Sequence, residues 1–263
     1  MGYDNLIYEY DETSGIARLS INRPQVKNAL NKSVRKELRM VVDNLKNDYS
    51  VKVLIITGAG SDSFIAGADI REFKDAKPIE IEEFASTLGQ QLLTDIENLP
   101  MPVIAMINGY CFGVGCELAM SCDIRIASDH SKFGQLEINL GLIPGAGGTQ
   151  KLQRLVGVGK AKELMYTGRI FDAIEAEKIG FVDRLFPQDK LEEEVSKIAE
   201  TIASKSPLIT RLLKKTINMG MNSDLRSGLA YEKVNFALCF GTEDMIEGID
   251  AFFSKRKPEF KGK

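Results

Sequence analysis

The sequence has a single histidine, His130, so neither a histidine-based triad nor a multi-histidine metal centre can be built from it. It has four cysteines in 263 residues, too few for a disulfide framework in a chain this long. Cys111, Cys116 and Cys122 fall close together, but not at zinc-site spacing, and with Cys239 they are expected as reduced core residues. Basic residues are not in excess. The 34 Lys and Arg against 37 Asp and Glu give a net charge of -3, which argues against binding nucleic acid by bulk electrostatics. The stretch Met1 to Tyr10 carries acids and no apolar run, so no secretion signal is expected. The one segment that could pass for a membrane span, Met101 to Met120, is interrupted by Asn108-Gly109 and Glu117; it reads as a buried strand, a turn and a helix start. Nucleotide fingerprints are also missing. Gly113-Val114-Gly115 lacks the third glycine of a dinucleotide loop, and Gly157-Val158-Gly159-Lys160 lacks the upstream glycine and the Ser/Thr of a phosphate loop. A cytoplasmic protein with no membrane and no nucleic-acid partner is expected.

What is present is an ordinary core, 44% apolar and 27% charged, and two acids in unusual company. Glu117 lies in Gly113-Val114-Gly115-Cys116-Glu117 and Glu137 in Phe133-Gly134-Gln135-Leu136-Glu137, two glycine-rich turns flanking the strand-like run Cys122 to Ala127. Buried carboxylates are costly to ionise and are excluded from apolar neighbourhoods unless paired or used. Two brought together by one βαβ-like unit can serve as a general acid and a general base.

Short β-rich runs alternate with helical patterns through the first half. Leu6–Tyr10 and Ile16–Ile21 predict a hairpin. Asn31 caps a helix reaching about Asn47, and Val51–Thr57 reads as a buried strand. A helix follows over Ile81–Asn98, then strands at Val103–Ile107 and Ile124–Ala127. This rhythm implies a parallel-rich α/β core with active-site loops at strand ends. After Gly148 helices dominate: Thr149–Leu155, Lys160–Tyr166, and Ala173–Lys178 capped by Asp172. A strand at Val182–Phe186 precedes the helix Leu191–Ser204. Ser206-Pro207 starts another helix ended by Gly220, and two more cover Ser223–Phe240 and Thr242–Phe253. The boundary is placed near residue 200, and the apolar tail beyond it should pack on something else, such as a neighbouring subunit.

Two small-residue loops follow strands, Phe64 to Ile70 and Asn108 to Gly115. Such loops let the backbone approach a ligand, and two of them can aim two N–H donors at one developing oxyanion.

Taken together these motifs resemble the crotonase (enoyl-CoA hydratase/isomerase) superfamily over essentially the whole chain. The matching pieces are Asn22-Arg23-Pro24 with Asn28-Ala29-Leu30, Ala66 to Ile70, Asn108-Gly109-Tyr110 with Gly115 to Ala119, Cys122 to Ala127, Phe133-Gly134-Gln135 with Glu137, and Ile143 to Gln150. Phe252-Phe253 and Lys255-Arg256-Lys257 fit as well. The resemblance implies an α/β fold, a crotonase-like spiral of ββα units over residues 1–200, followed by a helical trimerisation region over 201–263. It implies an oxyanion hole from the backbone N–H of Ala68 and Val114, the second being a departure from the usual glycine. Glutamates at both Glu117 and Glu137 select a hydratase, acting without metal or redox cofactor. The resemblance gives Glu117 the water and Glu137 the Cα proton, while the sequence alone leaves acid and base open. Coenzyme A is expected near Lys27, Ala29, Ala66, Ala68, Asp69, Ile70, Gly145, Phe252 and Lys255, in a homotrimer or hexamer. Bulky groups at Phe73, Ile79, Ile81, Phe84 and Leu88, with Phe236, Phe240, Phe252 and Val114, point to C3–C4 acyl groups: crotonyl-CoA, or acryloyl-CoA and 3-hydroxypropionyl-CoA. The alternatives are another crotonase reaction, such as enoyl-CoA isomerisation, and an RNA-binding relative using Lys32, Arg35, Lys36 and Arg39. These four are read as a solvated face.

Overall fold

The computed structural model describes residues 2–263. The chain opens with β1 (Leu6–Asp11) antiparallel to β2 (Ile16–Ile21), then α1 (Lys32–Leu45). Next come β3 (Val53–Gly58), β4 (Ser63–Ile65), α2 (Pro78–Phe84) and α3 (Leu92–Glu97), with a π-helical stretch over Ala85–Gln91 joining the two helices. A second unit follows: β5 (Val103–Ile107), β6 (Tyr110–Phe112) and α4 (Val114–Ala119). The third holds β7 (Ile124–Ser128), β8 (Lys132–Gly134), a 3₁₀ turn at Glu137–Leu140, α5 (Gly148–Val156) and α6 (Val158–Thr167). Then come β9 (Phe171–Asp172), α7 (Ala173–Lys178), β10 (Arg184–Phe186), α8 (Leu191–Ala203), α9 (Pro207–Met221), α10 (Leu225–Cys239) and α11 (Glu243–Phe253).

Six strands form one sheet in the order β1-β2-β3-β5-β7-β10, parallel except for the opening hairpin. Its central strands read as unbroken apolar runs because both faces are covered. Leu54, Ile56, Val103, Ala105 and Ala127 enter the main core, while Val53, Ile55, Ile104, Met106 and Ile126 meet Leu191, Val195 and Ala199 of α8. The helix starts follow local chemistry. Asn31 Oδ1 accepts the Val34 amide at 2.9 Å, Asp172 accepts that of Glu175 at 2.9 Å, and Ser206 Oγ accepts that of Ile209 at 3.2 Å.

The second sheet, β4-β6-β8-β9, lies in segments that the sequence pattern presents as loops. Its strands are two or three residues long, too short for any alternation to register. Other boundaries move as well. The buried strand begins at Val53 rather than Val51, and the last strand at Arg184 rather than Val182. The helix expected over Ile81–Asn98 starts at Pro78 and changes to π-helical pitch midway. Glu117 is not in a turn but on the first turns of α4.

The last two helices bury little. Asn235 is the one fully buried residue of α10, whereas Leu225, Phe236, Phe240, Phe252 and Phe253 are exposed. By contrast α9 is tied to the core, with Lys214 Nζ 2.9 Å from the Met101 carbonyl oxygen and 2.7 Å from Asp123 Oδ2. None of the helices among the described residues is long and apolar enough to cross a membrane.

Candidate active site

The short sheet positions the chemistry. β6 runs into Gly113, whose φ of 50° and ψ of -119° is open only to glycine, and α4 starts at the next residue. Glu117 is carried inward on α4 and is 2% exposed. Its Oε1 accepts two backbone N–H groups, from Ala146 and Gly148, each at 2.8 Å. Gly148 is the first residue of α5, where unsatisfied amides and the helix dipole favour a negative charge. Burial raises the pKa of Glu117, and these two N–H groups, then Arg35 and Lys151, oppose that rise.

Glu137 begins the 3₁₀ turn after β8, and its own backbone N–H offsets its burial only in part. Burial pushes its pKa up to about 7, and the neighbouring Glu117 charge pushes the same way. With its side-chain amide turned to donate, Gln135 reaches both Glu137 oxygens at 3.1 Å. A Cβ on Gly113 would lie 2.8 Å from Glu137 Oε1, and one on Gly148 would lie 3.0 Å from Glu117 Oε1. Gly113 is required by its positive φ, and at Gly148 the same Cβ would lie closer still to Gln135 Nε2, at 2.6 Å, and to Pro144 Cβ, at 2.8 Å.

The loop after β4 pairs with the segment before α1. The Leu30 amide donates to Gly67 O at 2.9 Å and the Asp69 amide to Leu30 O at 3.0 Å. The Ala68 N–H lies between these bonds and has no acceptor among the described residues; nor does the Val114 N–H at the start of α4. Ala68, Val114, Glu117 and Glu137 all line one cavity of about 540 Å³.

Residues 11–263 match the model of the enoyl-CoA hydratase/isomerase family. The chain belongs to that family. It is 47% identical to a crotonyl-CoA hydratase of Syntrophomonas wolfei over the full length of both, and 45% identical to a short-chain-enoyl-CoA hydratase of Clostridium acetobutylicum over 98% of each. The solved structure of an enoyl-CoA hydratase from Bacillus anthracis, 40% identical, superposes with a TM-score of 0.95 over 99% of this chain and 100% of that one. The crotonase fold expected from the motifs is met.

Within this enoyl-CoA hydratase/isomerase framework the remaining residues separate into three groups. Ala66, Ile70 and Gly145 line the cavity with Ala68. Lys27, Ala29 and Asp69 do not line it. The Lys27 carbonyl accepts the Ala66 amide at 3.1 Å, the Lys27 ammonium lies 4.6 Å from the Tyr110 ring centroid, and Asp69 is held by Arg71 at 2.7 Å. Phe252, 78% exposed, and Lys255 lie outside the cavity of their own chain. Of the expected wall, Phe73, Ile81, Phe84 and Val114 line the cavity; Ile79, Leu88, Phe236 and Phe240 do not.

Three contributions escape a reading of motifs. Ala146 and Gly148 act through main-chain amides, signalled only by glycines before a helix. Gln135 is buried and was visible merely as part of a motif. Arg35, placed by the sequence on a solvated face, is instead buried against the cavity. Its spacing to Leu38 and Val42, three and seven residues on, is the inward stripe of α1 and was the available signal.

Proposed function

We propose that the protein is a hydro-lyase that adds water reversibly across the 2,3-double bond of short-chain enoyl-CoA thioesters, crotonyl-CoA foremost. The observation that carries this is the convergence of two free amides and two differently supported carboxylates on one cavity. As water adds at Cβ, negative charge builds on the thioester oxygen. The N–H groups of Ala68 and Val114 donate to it, each contributing roughly 3–4 kcal/mol by analogy with acyl transfer. Glu117, whose charge is held by two amides, takes a proton from the attacking water. Glu137, with a pKa near 7 and no cation of its own, delivers a proton to Cα. Dehydration of a 3-hydroxyacyl-CoA, 3-hydroxypropionyl-CoA included, runs through the same groups in reverse. The reaction needs no cofactor, because both protons move between carboxyl groups and water.

Phe73, Ile81 and Phe84 on the wall favour a short acyl group, and the names of the crotonyl- and short-chain-enoyl-CoA hydratases support the same size. Coenzyme A would lie over Lys27, Ala29 and Ala66–Ile70. Phe252 and Lys255 would reach it from a neighbouring copy, since they stand outside their own cavity. Residues 201–263 would then serve as an assembly region completing a trimer or a hexamer, a role supported by the exposed Leu225, Phe236, Phe240, Phe252 and Phe253. The RNA-binding alternative loses ground, because Arg35 is buried and Arg39 is paired with Asp43 and Asp95.

The test is incubation of purified protein with crotonyl-CoA and no added metal or cofactor. Loss of the conjugated enoyl absorbance, with kcat/KM falling from C4 to C10 substrates, is expected. No loss would defeat the hydratase reading, and a flat or rising series would defeat only the short-chain part.

A further inference from the structure

Arg35 is 3% exposed, yet its guanidinium is almost unused by the protein. An arginine carries five N–H donors. Here the one hydrogen bond among the described residues runs from Nη1 to the Leu88 carbonyl oxygen at 3.1 Å, and buried Nε has no partner. Its Cζ lies 4.9 Å from the ring centroid of Phe84, a wall residue of the acyl cavity. Burial draws its pKa down to about 10, so it remains a cation at neutral pH. A buried charge without a hydrogen-bonded counterion is costly. Glu117 and Glu137 are the only other ionisable side chains lining the cavity among the described residues, and both are acids. An acyl group ending in an anion would meet repulsion from them and attraction from Arg35 alone.

We propose that Arg35 reads the distal end of the acyl group, so that the cavity accepts short enoyl thioesters ending in a carboxylate as well as methyl-terminated ones. The carboxylate takes hydrogen bonds from the guanidinium N–H groups that the protein leaves free, and supplies the missing counterion. A methyl-terminated chain leaves Arg35 as it is in the empty cavity and is still accepted. The chemistry is unchanged: the hydroxyl of water bonds to Cβ and a proton to Cα. This inference rests on the hydratase reading above.

Two plainer roles compete, stapling of the wall through Leu88 and Phe84, and support of the Glu117 charge. Either would act on all substrates alike, which makes the ratio between two substrates the deciding quantity. The substrates are glutaconyl-CoA, a five-carbon enoyl thioester ending in a carboxylate, and 2-pentenoyl-CoA, its methyl-terminated counterpart. Wild type is expected to hydrate both. Arg35→Met should lower kcat/KM for glutaconyl-CoA on the order of a hundredfold more than for 2-pentenoyl-CoA. Hydration of 2-pentenoyl-CoA but not glutaconyl-CoA by wild type would overturn the inference and spare the hydratase reading. Equal losses for both substrates in Arg35→Met would also overturn it. If wild type hydrates neither substrate, the inference falls, and the hydratase reading falls with it only if crotonyl-CoA is not hydrated either. Should Arg35→Met not fold, Arg35→Lys carries the comparison. Keeping the charge but losing the planar fork should depress glutaconyl-CoA selectively, and an unchanged ratio would contradict the proposal.

Discussion

The two sheets do different work with different amounts of chain. The six-stranded sheet uses apolar strands buried on both faces, and none of its strand residues lines the cavity. The four-stranded sheet is made of two- and three-residue strands, yet each of its first three leads into the site. β4 leads to Ala68, β6 to Val114 and Glu117, and β8 to Glu137. The larger sheet holds the fold, and the smaller one aims the amides and carboxylates. Stability and chemistry should therefore separate under mutation.

The sharpest separation is expected at the two acids. Glu117→Gln and Glu137→Gln should each lower turnover of crotonyl-CoA by about 10²–10⁴ with little change in KM and no loss of folding. Near wild-type kcat in either folded variant would remove that residue from the mechanism. On the other side, Ile56→Ala deletes a fully buried side chain in the centre of the larger sheet. It should cost about 2–5 kcal/mol of unfolding free energy while the folded fraction keeps its kcat. A variant that unfolds normally but turns over slowly would blur the division between sheets. The smallest effect is expected outside both. Lys255→Ala should raise KM a few-fold, more at low salt, with kcat unchanged; an unchanged KM would make Lys255 plain solvated surface.

The same contrast explains what was legible. β3 and β5 could be read because four or five consecutive apolar residues close to a glycine or proline admit few other fates. Caps at Asn31, Asp172 and Ser206 were legible because side-chain oxygens satisfy helix amides locally. β4, β6 and β8 carry no periodicity of their own, so they appeared as loops until pairing with one another gave them a sheet. Glu117 and Glu137 stood out as acids amid glycines. The donors that hold Glu117 did not, since an amide at Ala146 or Gly148 has no side-chain signature. Arg35 reads as surface by its charge, although its position lies on the inward Leu38–Val42 stripe.

The division of labour between the two carboxylates is the centre of the account. Glu137 should keep its proton to about pH 7, because burial and the Glu117 charge both oppose ionisation. Its folded-state pKa is raised, so its contribution to stability is fully present below the ordinary glutamate range and is lost as pH rises through about 7, by up to about 3 kcal/mol. Glu117→Gln removes the like charge and should lower the Glu137 value while leaving it above the ordinary range, since burial is the larger cause. An NMR titration of an isotope-labelled Glu137 carboxyl, in wild type and in Glu117→Gln, measures this directly. The account predicts a midpoint near 7 that falls in the variant. A midpoint near 4.5 in wild type, unmoved by the substitution, would contradict it.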